Sequence, residues 1–262
     1  QPLIDFYLKW FHNRTSATFA PTDWMIEELE NKGYRNLHML SRGVDRTLFS
    51  PRQRSEKLRE KWGASKTEKV IVTVSRIAAE KNLDLTCSLT NEMIRQGKAK
   101  AGVIVGDGPE LKKLKQKFPG LHFTGCLSKQ ALAEHYASGD VFLFSSVTET
   151  FGNVVTEALA SGTPVVAYDY AAPSEFIEEN INGFLAPLGD ENVLKKKLNE
   201  ILSLDFKILA EYKEAAQKST QKADWDFILQ KFHTDLLEII KKGKNHSLCE
   251  FSPSRKTQPY PA

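Results

Sequence analysis

From Lys69 onward, short continuously apolar runs alternate with segments whose apolar residues recur every three or four positions, and that alternation restricts the chain to few folds. Residues 70–74, 102–105, 121–124, 141–144 and 164–167 read as strands. Between them lie a helix with Leu85, Leu89 and Met93 on one face, a second carrying Leu111, Leu114 and Phe118, a third over 129–137 and a fourth over 153–160. Ser161-Gly162-Thr163-Pro164 ends the fourth, since glycine and proline punctuate helices. A last strand at 182–185 and helices at 190–202, 206–220 and 226–242 complete the series. Strands apolar on both faces must be covered on both, so the sequence predicts an α/β fold, a Rossmann-like doubly wound parallel sheet. Such sheets bind ligands outside the carboxyl ends of their strands.

The chain before Lys69 is organised differently. Leu3-Ile4-Asp5-Phe6-Tyr7-Leu8-Lys9-Trp10-Phe11 is apolar on most sides of a helix with nothing ahead of it, which reads as a helix separated from its packing partner by a cut through a larger protein. A short strand at 18–20, a helix from Pro21-Thr22-Asp23 to Lys32 with Thr22 as its N-cap, and a strand at 36–40 follow, Gly33 stopping the helix. A charged segment, 52–62, bridges to the first strand of the main series. Past Gly243, Ser252-Pro253-Ser254 and Gln258-Pro259-Tyr260-Pro261 read as a disordered tail.

Chemistry concentrates where the strand at 141–144 ends. The segment Glu149-Thr150-Phe151-Gly152-Asn153-Val154-Val155-Thr156-Glu157 places two carboxylates eight residues apart around a Gly-Asn helix start. Free amides at a helix N-terminus favour phosphate or sugar oxygens, and carboxylates accept from hydroxyl pairs such as those of ribose. Glu149 on the loop and Glu157 one turn inside the helix can then grip different hydroxyls of one ligand, two solvated acids being the plain alternative. Arg76 follows the first strand and Lys81 lies five residues on, where both cations can face one diphosphate. Cations so placed stabilise charge building on a leaving diphosphate without a metal. Gly106-Asp107-Gly108-Pro109 lacks the third glycine of a dinucleotide fingerprint and reads as a tight turn near a nucleotide, with Gly106 approaching the ligand.

Residues 149–167, ETFGNVVTEALASGTPVVA, resemble the Glu-x7-Glu hallmark of the retaining GT-B glycosyltransferases of family GT4. Val74-Ser75-Arg76-Ile77-Ala78-Ala79-Glu80-Lys81-Asn82, Val105-Gly106-Asp107-Gly108-Pro109-Glu110, Phe123-Thr124-Gly125 and Asn182-Gly183-Phe184-Leu185 match further motifs in the family's order, over roughly residues 15–240. The resemblance implies that 66–205 form the nucleotide-sugar-binding Rossmann domain, the C-terminal domain of a GT-B enzyme. It makes 1–65 a remnant of the N-terminal Rossmann domain with its linker, 206–245 helices returning toward that domain, and 246–262 the tail.

By the same resemblance Arg76 and Lys81 hold the donor diphosphate, Glu149 the donor sugar hydroxyls and Glu157 the ribose. Those first three residues are the expected catalytic set, Glu149 acting in binding and orientation. Amides of Phe151, Gly152 and Asn153 approach sugar and phosphate, and Leu127, in Gly125-Cys126-Leu127-Ser128, contacts the base. The implied reaction moves a hexose from a UDP or GDP sugar to a lipid, glycan or other acceptor, with retention of configuration and without a metal. The donor is a substrate, so no cofactor is expected. Val166-Ala167-Tyr168-Asp169-Tyr170 brings the chain nearest to lipid and glycolipid glycosyltransferases, GDP-mannose-dependent ones included, and with them peripheral membrane association. GDP-using relatives carry an acidic residue just beyond Leu127, where this chain has Ser128-Lys129, so UDP and GDP both stay open. The family's upstream glycine-rich loop and catalytic-site histidine are missing, which makes the chain an inactive donor half, or else a non-catalytic nucleotide-sugar-binding module.

Composition narrows the rest. A formal charge of +3, from 36 basic and 33 acidic residues, is too balanced for a nucleic-acid binder. The three cysteines, Cys87, Cys126 and Cys249, are too scattered for a zinc site or a disulfide framework, and a cytoplasmic setting is expected. No apolar run approaches the roughly 20 residues that cross a bilayer. Asp224-Trp225-Asp226 mimics the Asp-x-Asp of metal-dependent glycosyltransferases but opens a helix, so capping is the expected role. The six histidines share no catalytic motif.

Overall fold

The computed structural model describes residues 2–149 and 151–249. In chain order the elements are α1 (Pro2–His12), β1 (Thr18–Ala20), α2 (Asp23–Asn31), β2 (Leu37–Met39), α3 (Glu56–Lys61), β3 (Val70–Val74), α4 (Leu83–Arg95), β4 (Ala101–Val105), α5 (Leu111–Lys117) and β5 (His122–Gly125). They continue with α6 (Lys129–Ser138), β6 (Val141–Phe144), α7 (Asn153–Ala160), β7 (Val165–Tyr168), α8 (Ala172–Phe176), β8 (Gly183–Ala186), α9 (Glu191–Ser203), α10 (Phe206–Ser219) and α11 (Trp225–Cys249).

Six strands, β5-β4-β3-β6-β7-β8 in that order, form one sheet in which every neighbouring pair is parallel. The chain winds outward from β3 through β4 to β5, returns to lay β6 beside β3, and winds the other way through β7 to β8. That reversal between β3 and β6 leaves a crevice at their carboxyl ends. Alternate residues serve opposite faces: Val70, Val72, Phe142 and Phe144 join one buried cluster with Val155 and Leu159 of α7, while Ile71, Val141 and Leu143 join another with Leu194 and Leu198 of α9. Each such side chain contributes about 1.5–3 kcal/mol through removal from water. This is the doubly wound α/β sheet that the apolar runs predict.

Two short helices escape periodicity. α3 lies within the segment read only as charged, and α8, five residues long, offers too few turns to show a pattern. Of the tail expected at 246–262, the first four residues belong to α11, and 250–262 lie outside the described residues.

α3 is fastened by a buried charge cluster. Arg59, fully buried, donates to Asp140 Oδ2 at 2.8 Å and to the Ser138 carbonyl at 2.7 Å, while Lys213 of α10 donates to Asp140 Oδ1 at 2.6 Å. Burial alone would raise the Asp140 carboxyl, but Lys213, Arg59 and Arg54 together hold it below its ordinary value. Upstream, β1 and β2 pair in parallel around α2, which Thr22 caps by accepting from the Met25 amide at 3.1 Å. α11 returns to this segment: Phe232 meets Phe19 edge to face at 5.1 Å, and the Val44 amide donates to the Ala223 carbonyl at 2.7 Å. Asp224 caps α11, its carboxylate accepting from the Asp226 amide at 3.0 Å.

Candidate functional site

Chain leaving β3 turns at once into the crevice. The Ser75 amide donates to the Val105 carbonyl at 3.0 Å, which keeps the end of β3 against β4, and Arg76 then projects into solvent and pairs with Glu80 one helical turn on. Lys81 closes a 3₁₀ turn whose end residue, Asn82, is left-handed and starts α4. From there Lys81 reaches across to the loop after β6, donating to the Thr148 carbonyl at 3.1 Å and pairing with the Glu149 carboxylate. Thr148 Oγ1 returns a hydrogen bond to the Glu80 carbonyl at 3.1 Å. Arg76, Glu80, Lys81, Thr148, Glu149 and Tyr170 line one cavity of about 360 Å³.

Tyr170 is a residue that site reasoning from sequence missed. Its hydroxyl accepts from the Glu149 amide at 3.2 Å and donates to the Glu149 carbonyl at 2.6 Å, and its ring meets Trp24 of α2 edge to face at 4.9 Å. The available signal was its place two residues past the end of β7, at the same carboxyl edge as the other site residues.

Around the start of α7 the expected residues separate into distinct roles. The Phe151 ring is buried against Phe176, at 6.0 Å, and its carbonyl accepts from the Ala172 amide at 3.0 Å. Gly152 sits at φ +93, the left-handed turn that starts α7, and Asn153 is exposed in the first turn beside it. Glu157 is largely buried one turn in, and Tyr136 of α6 donates to its Oε2 at 2.9 Å. Burial raises the Glu157 carboxyl above its ordinary value, against the Tyr136 hydrogen bond and the positive Lys129, while burial and Glu157 together push the Tyr136 hydroxyl well up. Tyr136 was missed as well, because in sequence it is one more apolar residue on a helix face.

Leu127 is half-buried at the entry to α6, packed on the core that holds Val155 and Ala158. Neither Leu127 nor Glu157 lines the cavity shared by Arg76, Lys81 and Glu149. Gly106 has φ +135, and a Cβ there would lie 1.9 Å from the Ser75 carbonyl oxygen. Its need for glycine therefore arises from close approach of the chain to itself. A larger cavity, about 680 Å³, opens at the opposite, amino-terminal end of β3 and β4 and holds none of these residues. There the Lys69 ammonium is occupied by the carbonyls of Leu202, at 2.7 Å, and Leu204. Among the described residues no three His, Cys, Asp or Glu converge as metal ligands.

Residues 54–219 match the family model described as glycosyl transferases group 1. The chain belongs to this glycosyltransferase family. It is 32% identical over 255 residues to a GDP-mannose-dependent alpha-mannosyltransferase of Corynebacterium glutamicum, covering 97% of this chain and 60% of that protein. A GDP-mannose-dependent alpha-mannosyltransferase of Mycobacterium tuberculosis is 35% identical over 223 residues, covering 84% and 56%. The chain thus spans little more than half the length of these curated relatives. Among solved structures, Anabaena Alr3699/HepE in complex with UDP and glucose superposes with a TM-score of 0.77 at 23% identity, covering 91% of this chain and 68% of that one. Such neighbours are GT-B glycosyltransferases, so the six-stranded sheet with its covering helices is the Rossmann-like fold of that class. The family match begins at Arg54, just ahead of α3, and leaves Trp24 and the rest of the upstream segment outside it.

Proposed function

We propose that this chain is the donor-binding portion of a glycosyltransferase that moves a hexose from a nucleoside diphosphate sugar to a lipid or glycan acceptor, with retention of configuration. The observation that carries this reading is the meeting of Arg76, Lys81 and Glu149 on one cavity at the β3/β6 crevice. Arg76 and Lys81 supply two positive charges for the diphosphate, and the first amides of α7 supply donors beside it. A diphosphate drawing Lys81 toward itself leaves the Glu149 carboxylate to accept from sugar hydroxyls, while Glu157 accepts from the ribose. In the transfer the bond from the anomeric carbon to the phosphate oxygen breaks and its electron pair stays on the diphosphate. The acceptor hydroxyl oxygen bonds to the same face of that carbon and its proton passes to the departing phosphate oxygen. The two cations stabilise the departing charge, so the step needs no metal and no cofactor.

GDP-mannose is the donor this reading favours, because both bacterial relatives carry it in their names. Ser128-Lys129, in place of the acidic residue of GDP users, makes a UDP sugar the competing donor. No described helix is long and apolar enough to cross a membrane, so a lipid acceptor would be met at a membrane surface. The shortfall in length against the relatives favours a second reading for the isolated chain, a nucleotide-sugar-binding module that needs a partner or its N-terminal domain to act.

Transfer assays on the full-length parent, with GDP-mannose and UDP-glucose, in EDTA, and with the product anomer assigned by NMR, test the reaction. Retained product in EDTA is expected. An inverted product or strict metal dependence would sink the mechanism. Calorimetry of the isolated chain with GDP and UDP, with binding but no turnover expected, tests the division of labour.

A further inference from the structure

We propose that Tyr170, braced by Trp24, is a positioning residue that sets Glu149 for the sugar of the donor; the role rests on the donor-site reading above. Glu149 sits on the loop between β6 and α7, where no strand or helix ladder holds the main chain. One hydroxyl takes over that task, since Tyr170 Oη accepts from the Glu149 amide at 3.2 Å and donates to the Glu149 carbonyl at 2.6 Å. Lys81 holds the Glu149 carboxylate from the β3 side, so the residue is fixed through its main chain from one wall of the crevice and through its side chain from the other.

Tyr170 is itself well anchored. The Asp169 amide donates to the Ala186 carbonyl at 2.8 Å, extending the β7–β8 ladder to the residue before it. Ala171, just after it, is held at φ 55 and ψ −132, a conformation that a residue with a Cβ keeps only where its surroundings over-determine it. The Ala172 amide then donates to the Phe151 carbonyl at 3.0 Å, which ties the same turn to the far end of the Glu149 loop. On the open side of the ring stands Trp24, edge to face at 4.9 Å, contributed by α2 from outside the family-matched residues. A segment remote in sequence thereby presses on the residue that orients Glu149.

The signature is a split between sugar and nucleotide. Tyr170→Phe keeps the ring and its contact with Trp24 but deletes the hydroxyl, so Glu149 loses its main-chain anchor while Arg76, Lys81 and Glu157 are untouched. By calorimetry on the full chain, GDP-mannose affinity should fall about three- to tenfold and GDP affinity less than about twofold. Hydrogen exchange at the Glu149 amide should quicken without any ligand. Trp24→Ala, which leaves the hydroxyl in place, should shift both readouts the same way by less.

Equal losses for GDP and GDP-mannose would overturn the proposal and reduce Tyr170 to a general brace. So would unchanged exchange at Glu149 in Tyr170→Phe. Wild-type protein that binds neither this pair nor UDP and UDP-glucose would instead remove the donor-site reading, and the positioning role for a sugar with it.

Discussion

Tyr136 donates its hydroxyl to Glu157 Oε2 at 2.9 Å inside the contact between α6 and α7, so the inner carboxylate of the Glu-x7-Glu pair is held by a neutral, buried donor. The outer carboxylate, Glu149, is held by a cation at the crevice mouth. Two glutamates of one motif are therefore held by partners of different chemistry.

Removing the Tyr136 hydroxyl should show this directly. Burial already raises the Glu157 carboxyl, and Tyr136→Phe deletes a hydrogen bond that opposes the rise, so NMR titration should find Glu157 titrating higher still. Urea unfolding should report a loss of about 1–3 kcal/mol. A carboxyl raised in the folded state favours folding most below its ordinary value of 4.5, and that contribution is lost as pH climbs through the folded value. Glu157→Gln should accordingly raise the melting temperature at neutral pH and leave it unchanged near pH 4.

Glu157→Ala should weaken nucleosides with an intact ribose more than their 2′,3′-dideoxy forms. A merely acidic surface would behave oppositely, since its removal would help an anionic ligand bind. Titration of GDP and dideoxy-GDP against both proteins decides it.

Arg76→Ala and Lys81→Ala should each weaken GDP or UDP about ten- to a hundredfold, since hydrogen bonds to charged groups are worth about 1.5–3 kcal/mol. Lys81→Ala also unpairs Glu149, whose charge then repels the diphosphate. Lys81→Ala combined with Glu149→Gln should recover part of the loss in calorimetry, and no recovery would argue against their shared site.

Asp140→Asn tests the charge cluster under α3. The substitution leaves the buried Arg59 and the partly buried Lys213 without the Asp140 counter-ion and should cost about 3–5 kcal/mol in urea at neutral pH. Burial already lowers the Lys213 pKa against the pull of Asp140, so losing that carboxylate should lower it further. Because the Asp140 carboxyl is depressed when folded, its contribution is present above its ordinary value of 3.8 and lost as pH falls through the folded value. Mutant and wild-type stabilities should converge in acid.

Gly106→Ala should cost about 2 kcal/mol or more, from both the positive φ and the overlap with the Ser75 carbonyl, and should displace Arg76 with the end of β3. A thermal melt together with GDP titration reads both effects.

The sequence by itself determined the sheet, its parallel strands and the helices long enough to show a period, because a strand buried on both faces must be apolar throughout. Thr22 as a cap, Gly152-Asn153 as a helix start and Asp224 as a helix cap were likewise legible, each being a local demand on one or two residues. Only the tertiary structure decided that Lys81 engages Glu149, that Tyr136 holds Glu157, and that Trp24 reaches Tyr170. Those contacts join residues on different elements, and strand order, which periodicity does not encode, is what lays β6 beside β3 and closes the crevice between them.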